Sequence, residues 1–355
     1  MKNYSTLILI TFVVFGCKTS GEKGSYFSEF SEKYSLNGNV VDLNGIIGNP
    51  FQILLLDSLL IINEGRNDNL LFLYNLNTGN LHSEFGNVGD GPDEFSPPLR
   101  IALAADKRML YINERRKFKF REYYLDDRFK MNLVNEFGPF SPEIQILNKF
   151  NDDLFLAVGI FEEGRFRFYD KNLDEISSFG SFPDIPIITA NQQVENKIGN
   201  DVKGMIFQVR LGIKSDKTKI AVAHSLTGIL EVYEVSGNTT VKVSQQSVSK
   251  SVELKHYSSG NILQATLDDA HPRGYSDIYT SEDYIYLLYS GQVQGNMENT
   301  HLPRTSIHVF DWDGNHKWQY ELDRQVSCFT INSGGEKLYA VSDEANPALI
   351  VYDLQ

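Results

Sequence analysis

The chain has 355 residues, 41% of them hydrophobic and 22% charged, with 33 Lys and Arg against 46 Asp and Glu and a formal net charge of −13. That balance argues against nucleic acid as a partner and against adhesion to an anionic lipid surface. Only two cysteines are present, Cys17 and Cys328, so a disulfide framework is excluded and the fold must rest on an apolar core, which a chain of this length can bury.

Residues 1–16 read as a processing signal rather than as structure. Lys2 supplies the positive start, and Leu7 to Phe15 is apolar apart from Thr11. The run is shorter than the roughly 20 residues that a membrane-spanning helix needs. It ends in Val14-Phe15-Gly16-Cys17, a small residue before a cysteine as in a bacterial lipobox, which makes Cys17 the expected lipidation site and new N-terminus. A lipidated Cys17 leaves Cys328 with no intrachain partner. Removing residues 1–16 removes one charge, that of Lys2, so the mature chain carries −13 − 1 = −14. Residues 17–36 begin with a polar stretch containing Gly21 and Gly24 and are expected to form a flexible tether.

The remainder, 37–355, is expected to be one domain. It opens on a short strand, Asn39-Val40-Val41-Asp42-Leu43, and then repeats. Apolar runs at 59–62, 109–112, 154–157, 219–222, 284–287 and 337–340 each follow a turn, mostly polar, such as Asp106-Lys107-Arg108 or Asn151-Asp152-Asp153. Each leads to a second run ending in an aromatic: Tyr74, Tyr124, Tyr169, Tyr233, Phe310 and Tyr352. Leu59 to Tyr74, Met109 to Tyr124 and Lys337 to Tyr352 are all 15 residues apart, and fixed internal spacing with variable joints marks repeated supersecondary units. The runs are β-branched and aromatic with Asn, Asp and Gly turns, and no long 3.6-residue period intervenes. Four-stranded units of this size are blades of a β-propeller. Six are counted, and a miscount by one would make five or seven. The last unit offers three strands, so 39–43 is expected to supply its fourth and close the ring across the termini. The fold class is therefore all-β, a six-bladed propeller closed by an N-terminal strand.

Joints between blades carry a recurring Phe-Gly, at Phe85-Gly86, Phe137-Gly138 and Phe179-Gly180. The longest joint reads Gly86-Asn87-Val88-Gly89-Asp90-Gly91-Pro92-Asp93-Glu94-Phe95, too rich in Gly and Pro for a helix or strand. Its glycines are expected to supply positive φ angles, with Pro92 and Phe95 anchoring it on blade 2. The lipobox, the six units and this joint, through Gly89, Gly91, Pro92, Glu94 and Phe95, resemble the TolB-like six-bladed propeller lipoproteins of the Bacteroidetes; Asp93 stands where that family often has Gly. The resemblance spans the whole mature chain and implies fold and anchoring, with no defined chemistry.

Propeller geometry places the joints and the loops between second and third strands on one face, the expected binding face. Asp90, Asp93 and Glu94 fall there. So do Arg66 and Arg115, each in an Asn-Glu-x-Arg phrase, and Arg165; their guanidinium forks suit an anionic or sugar ligand. The bland alternative is a set of solvated turns whose Glu–Arg pairs contribute under about 1 kcal/mol each. A second candidate rim joins Asp268, Asp269, His271 and Arg273 to the 290–304 insertion of blade 5, which carries His301 and Arg304. There is no zinc spacing, nucleophile elbow or phosphate loop. Asp311-Trp312-Asp313-Gly314-Asn315 fails as a calcium loop, because His316 stands where Gly is required, and reads as a hairpin turn. The expectation is a cell-envelope lipoprotein, membrane-attached and outer-membrane in address, whose propeller face binds a glycan, peptide or envelope protein without catalysis or cofactor. The rival is a hydrolase or lyase using calcium or another divalent cation at the channel mouth, with Asp268, Asp269, His271 and Glu94 as donors.

Overall fold

The structure, a computed structural model, describes residues 25–26, 29–43, 48, 50–65, 68–104, 106, 108–189, 192–193, 198–237, 239–258, 264–293 and 304–354. The signal, Cys17, Arg66 and His301 lie outside these residues.

Six four-stranded antiparallel sheets follow one another. Blade 1 is Pro50–Leu56, Leu59–Glu64, Asn69–Asn75 and Asn80–Asn87, and blade 2 is Leu99–Ala104, Met109–Glu114, Lys119–Leu125 and Met131–Phe137. Blade 3 comprises Ile144–Lys149, Leu154–Gly159, Phe166–Asp170 and Glu175–Phe179. Blade 4 comprises Val209–Ile213, Lys219–His224, Ile229–Ser236 and Thr239–Ser247. Tyr275–Thr280, Tyr284–Tyr289, Ser306–Asp311 and His316–Leu322 make blade 5. Blade 6 has Val326–Ile331, Lys337–Ser342 and Leu349–Asp353, completed as expected by Asn39–Val41, whose Val40 lies opposite Ile350.

Burial follows position in the blade. The second strand of blade 1, Leu59–Glu64, is buried on both faces, whereas the fourth strand of blade 1 alternates with water and that of blade 2 is mostly exposed. Every seam between neighbouring blades holds its own apolar core, including the seam between blades 6 and 1, where Cys328, Val341 and Leu349 meet Ile53, Leu60 and Ile62. In blades 1 to 5 the fourth strand carries a β-bulge beside the aromatic of the third, at His82, Val134, Ile176, Val243 and Lys317 beside Tyr74, Tyr123, Tyr169, Tyr233 and Phe310. Tyr123, rather than the expected Tyr124, is the buried one; Tyr124 faces water at 40% exposure. The turns after these strands are held by a side-chain oxygen that accepts nearby backbone N–H groups: Asn75 from Asn77, Asp126 from Arg128 and Lys130, Asp170 from Asn172 and Asp174, and Asp311 from Asp313 and Asn315. Asp311 to Asn315 is thus the hairpin turn expected.

Two features depart from the sequence reading. The tether expected over 17–36 is shorter, because Ser25–Tyr26 pairs in parallel with the edge of blade 4 and Lys33–Leu36 with Gln319–Leu322 of blade 5. Buried Phe30 packs against Phe310. A seventh sheet, formed by Ile187–Thr189, Gln192–Gln193, Val252–Ser258 and Gln264–Leu267, lies outside the ring of blades and pairs the joint before blade 4 with the joint after it. With the short helix Asn200–Ile206 it buries Ile187, Val202, Ile206, Val252 and Leu254 over the start of Ile229–Ser236. Among the described residues no helix is long and apolar enough to cross a membrane.

Candidate functional site

The long joint after blade 1 is built as a clasp. Val88 and Phe95 bridge, and Phe95 N–H donates to Asn87 O at 2.8 Å. Glu94 turns back so that its carboxylate accepts from Gly91 N–H at 2.7 Å. Gly86 has φ +85°, but Gly89 and Gly91 do not need positive φ, contrary to expectation. Gly89 is glycine for want of space: a Cβ there would meet the Glu94 carboxylate oxygen, and a Cβ on Gly91 would stand 3.0 Å from the same oxygen. Blade 2 then grips the loop. Lys117 Nζ donates to the carbonyls of Gly89, Gly91 and Glu94 at 2.8, 3.2 and 2.9 Å, and Arg121 donates to Pro92 O at 3.0 Å. The Arg121 guanidinium lies 4.5 Å over the buried Phe95 ring and pairs with Glu114 and Glu136. Glu94 is therefore a structural residue, while Asp90 and Asp93 stand exposed on this face.

The Asn-Glu phrases are not solvated turns either. Glu64 and Glu114, both buried, accept the backbone N–H groups of Gly48 and Ser96, each holding the segment that enters its own blade. Of the three arginines, the two that are described, Arg115 and Arg165, do not share a rim. Arg66 lies outside the described residues. Arg115 reaches Pro142 O at 2.6 Å over the Phe118 ring. Arg165 is 1% exposed and locked between blades 3 and 4, on Glu231 at 3.1 Å and Phe207 O at 2.5 Å. Glu231 also accepts from His224, Lys242 and Tyr233. Burial alone would raise Glu231, but His224, Arg165 and Lys242 hold it down at about 2, while burial and then Arg165 push His224 down to about 4.

In the second candidate rim, Asp268 caps a turn through Ala270 N–H, and Asp269 pairs with Lys255 at 2.7 Å. His271 is buried, and burial followed by the Arg273 charge lowers it to about 4, so it is neutral at pH 7. Arg273 is half-buried and its backbone bonds to Gly291 and Gln292 at the root of the blade 5 insertion. Arg304 faces Asp343 at 3.5 Å, and His301 lies outside the described residues. Among the described residues no three His, Cys, Asp or Glu side chains gather as a metal site would require.

Sequence reasoning missed a cleft of about 640 Å³ on the opposite face, between blades 2 and 3. Tyr111, Phe137, Asn135 and Asp152 line it around a buried Lys149–Glu122 pair at 2.9 Å. The available signal was Arg121-Glu122, two charges inside an otherwise aromatic strand.

The family model described as TolB-like 6-blade propeller-like matches residues 27–334. Similar solved structures include a protein of Bacteroides fragilis provisionally named as exported, at 13% identity and TM-score 0.53, covering 92% of this chain and 99% of that one. A member of the duf4221 family from Bacteroides vulgatus aligns at 9% identity and TM-score 0.56 over 89% and 95% of the two chains. A Lactobacillus plantarum protein aligns at 13% identity and TM-score 0.50 over 88% and 85%. At these identities the likeness is one of fold. No curated protein sequence matches the chain.

Proposed function

The chain belongs to the TolB-like six-blade propeller family, and on that premise we propose that it is an exported, lipid-anchored protein of the bacterial cell envelope whose joint face binds a glycan, peptide or partner protein without chemical conversion. The fold favours a binding or scaffold role in general. The observation that carries the finer reading is the pre-organisation of that face: Lys117, Arg121, Glu64 and Glu114 hold loop backbone that would otherwise be free to move. A loop ordered before its ligand arrives loses less entropy on binding. The apolar run before Gly16-Cys17 and the exported Bacteroides neighbour support an extracytoplasmic address, with outer-membrane attachment through Cys17.

Two measurements test this. Metabolic labelling with a fatty-acid analogue should mark the wild type and leave Cys17→Ser unlabelled and soluble; equal labelling of both removes the anchor from the reading. Glycan and peptide arrays probed with the Cys17→Ser chain, followed by hydrogen exchange with each hit, should protect the joints and spare the turns of the opposite face. Protection confined to the opposite face sinks the assignment, as does a stoichiometric divalent ion that raises the melting temperature together with turnover of a hit.

A further inference from the structure

Antiparallel pairing lets the inner strands be compared position by position. Gln52 lies opposite Asn63, Arg100 opposite Asn113, Arg210 opposite Ala223 and Asp277 opposite Leu288. These four inner-strand residues share one level, just inside the joint face, and at three of them the side chain holds the next blade. The Gln52 amide takes both backbone groups of Ile101, at 2.6 and 3.1 Å, and Asn63 beside it donates to Leu99 O at 3.1 Å. Arg210 Nε donates to Ser276 O at 2.9 Å, and Asp277 accepts from Phe329 N–H at 3.0 Å.

Blade 2 breaks this rule. The Arg100 side chain makes no hydrogen bond or ion pair among the described residues. Its cross-strand neighbour Asn113 is 2% exposed, yet both its amide nitrogen and its amide oxygen lack a partner. Buried polar groups are nearly always satisfied, and one left unpaired costs about 1–3 kcal/mol. Burial first, and then the positive charge of Arg210, pull Arg100 down to about 9. Blades 2 and 4 are not neighbours, and Arg100 and Arg210 stand at one level on their inner strands, the strands that face the central channel. Arg210 makes its one side-chain hydrogen bond among the described residues through Nε, which leaves its two terminal nitrogens without one, although its charge also acts on Asp277. At the same level the half-buried Phe51 and Gln145 are the extra residues of bulges in blades 1 and 3.

We propose that Arg100, Arg210 and Asn113 form a carboxylate site at the channel mouth that takes an acidic sugar of the uronate class. Two guanidinium forks at one level suit a planar carboxylate. Asn113 has a donor and an acceptor to satisfy at once, which a neighbouring ring hydroxyl does. Phe51 offers a ring face and Gln145 a further amide, both common in sugar recognition by shape and hydrogen bonding. The site rests on the reading that the joint face binds ligands and names the chemistry that one of them carries.

Calorimetric titration of the Cys17→Ser chain with trigalacturonate tests it. The acid should bind, its methyl ester should bind at least tenfold more weakly, and Arg100→Gln and Asn113→Ala should each weaken the acid at least tenfold. Arg108→Gln, on the opposite face, should leave the affinity unchanged. Arg100→Gln should also raise the melting temperature by a few degrees, because it relieves an unpaired, repelled charge. That gain separates loss of a site from loss of the fold. No binding of trigalacturonate overturns the proposal, as does equal affinity for the ester, indifference to Arg100→Gln or a lowered melting temperature in that variant. A free-carboxylate tripeptide that binds where trigalacturonate does not would also overturn it, in favour of a peptide terminus. A ligand that protects the joints but ignores Arg100→Gln refutes this site alone; an unprotected joint face refutes the broader reading with it.

Discussion

At the scale of single residues, the joint shows how one side chain decides what its neighbours must be. Gly89→Ala would place a methyl group where the Glu94 carboxylate sits, forcing that carboxylate off Gly91 N–H. We expect a loss of about 1–2 kcal/mol, measured by denaturant unfolding. Combined with Glu94→Ala, the second change should add little, because both remove the same contact. Ionisation gives a second residue-scale prediction. Burial lowers His224 and His271 to about 4 and His308 to about 3, so in the unfolded chain these groups bind protons that the native state refuses. Their stabilisation is complete above the unfolded value near 6.5 and is lost as pH falls toward 4. Asp277 works the other way. Burial raises it to about 6, so it holds a proton in the folded state and favours folding as pH falls through the same window. Three groups against one should leave the protein acid-labile, by on the order of 5 kcal/mol between pH 6.5 and 4. Thermal unfolding against pH checks this, and His308→Phe, which keeps the packing on Phe30 and Tyr289, should flatten the acid limb.

At the scale of elements, a joint is only as rigid as the strand that holds it. Lys117→Met removes the donor that gathers three carbonyls while keeping a similar aliphatic stem. A cost of about 2 kcal/mol is expected, together with faster amide exchange over 86–95 and little change in the fourth strand of blade 1. A joint that exchanges as slowly as before would mean that Arg121 and Phe95 suffice. The elements most legible in the sequence were those that repeat: the second strands, the aromatic third strands and the Asn or Asp turns after them, because the same local solution recurs in blade after blade. What could not be read was fixed by distant partners. Arg165 follows a Glu-Glu-Gly turn and looks solvated, but its carboxylate, Glu231, lies 66 residues away. The seventh sheet hides for the same reason. Its strand Ile187–Thr189 is three residues long and pairs with Val252–Leu254 across the whole of blade 4. Arg100 and Arg210 are single arginines in two strands, and only the register shows that they share a level.

At the scale of the whole molecule, the N-terminal segment crosses the outside of the ring. Ser25–Tyr26 lies along blade 4, Lys33–Leu36 along blade 5 and Asn39–Val41 along blade 6 before the chain enters blade 1. A chain begun at residue 37 would keep the closing strand but lose Phe30 and Leu36 from two seam cores and uncover the edge of blade 5. Its melting temperature should fall by several degrees relative to the Cys17→Ser chain, with a greater tendency to aggregate through the bared edge, which light scattering would register. The closing strand itself could be anticipated because blade 6 runs out of chain one strand short; the belt over blades 4 and 5 could not, since its residues alternate too weakly to announce a strand. The belt also sets an order of events. It is synthesised first, but the surfaces that receive it come from the second half of the chain, so it must wait unpaired until blades 4, 5 and 6 exist. Run in reverse, the same geometry defines a load path: tension on the N-terminus reaches blade 4 before blade 5 and blade 5 before blade 6, so a pulled molecule should shed its belt in steps while the ring is still shut.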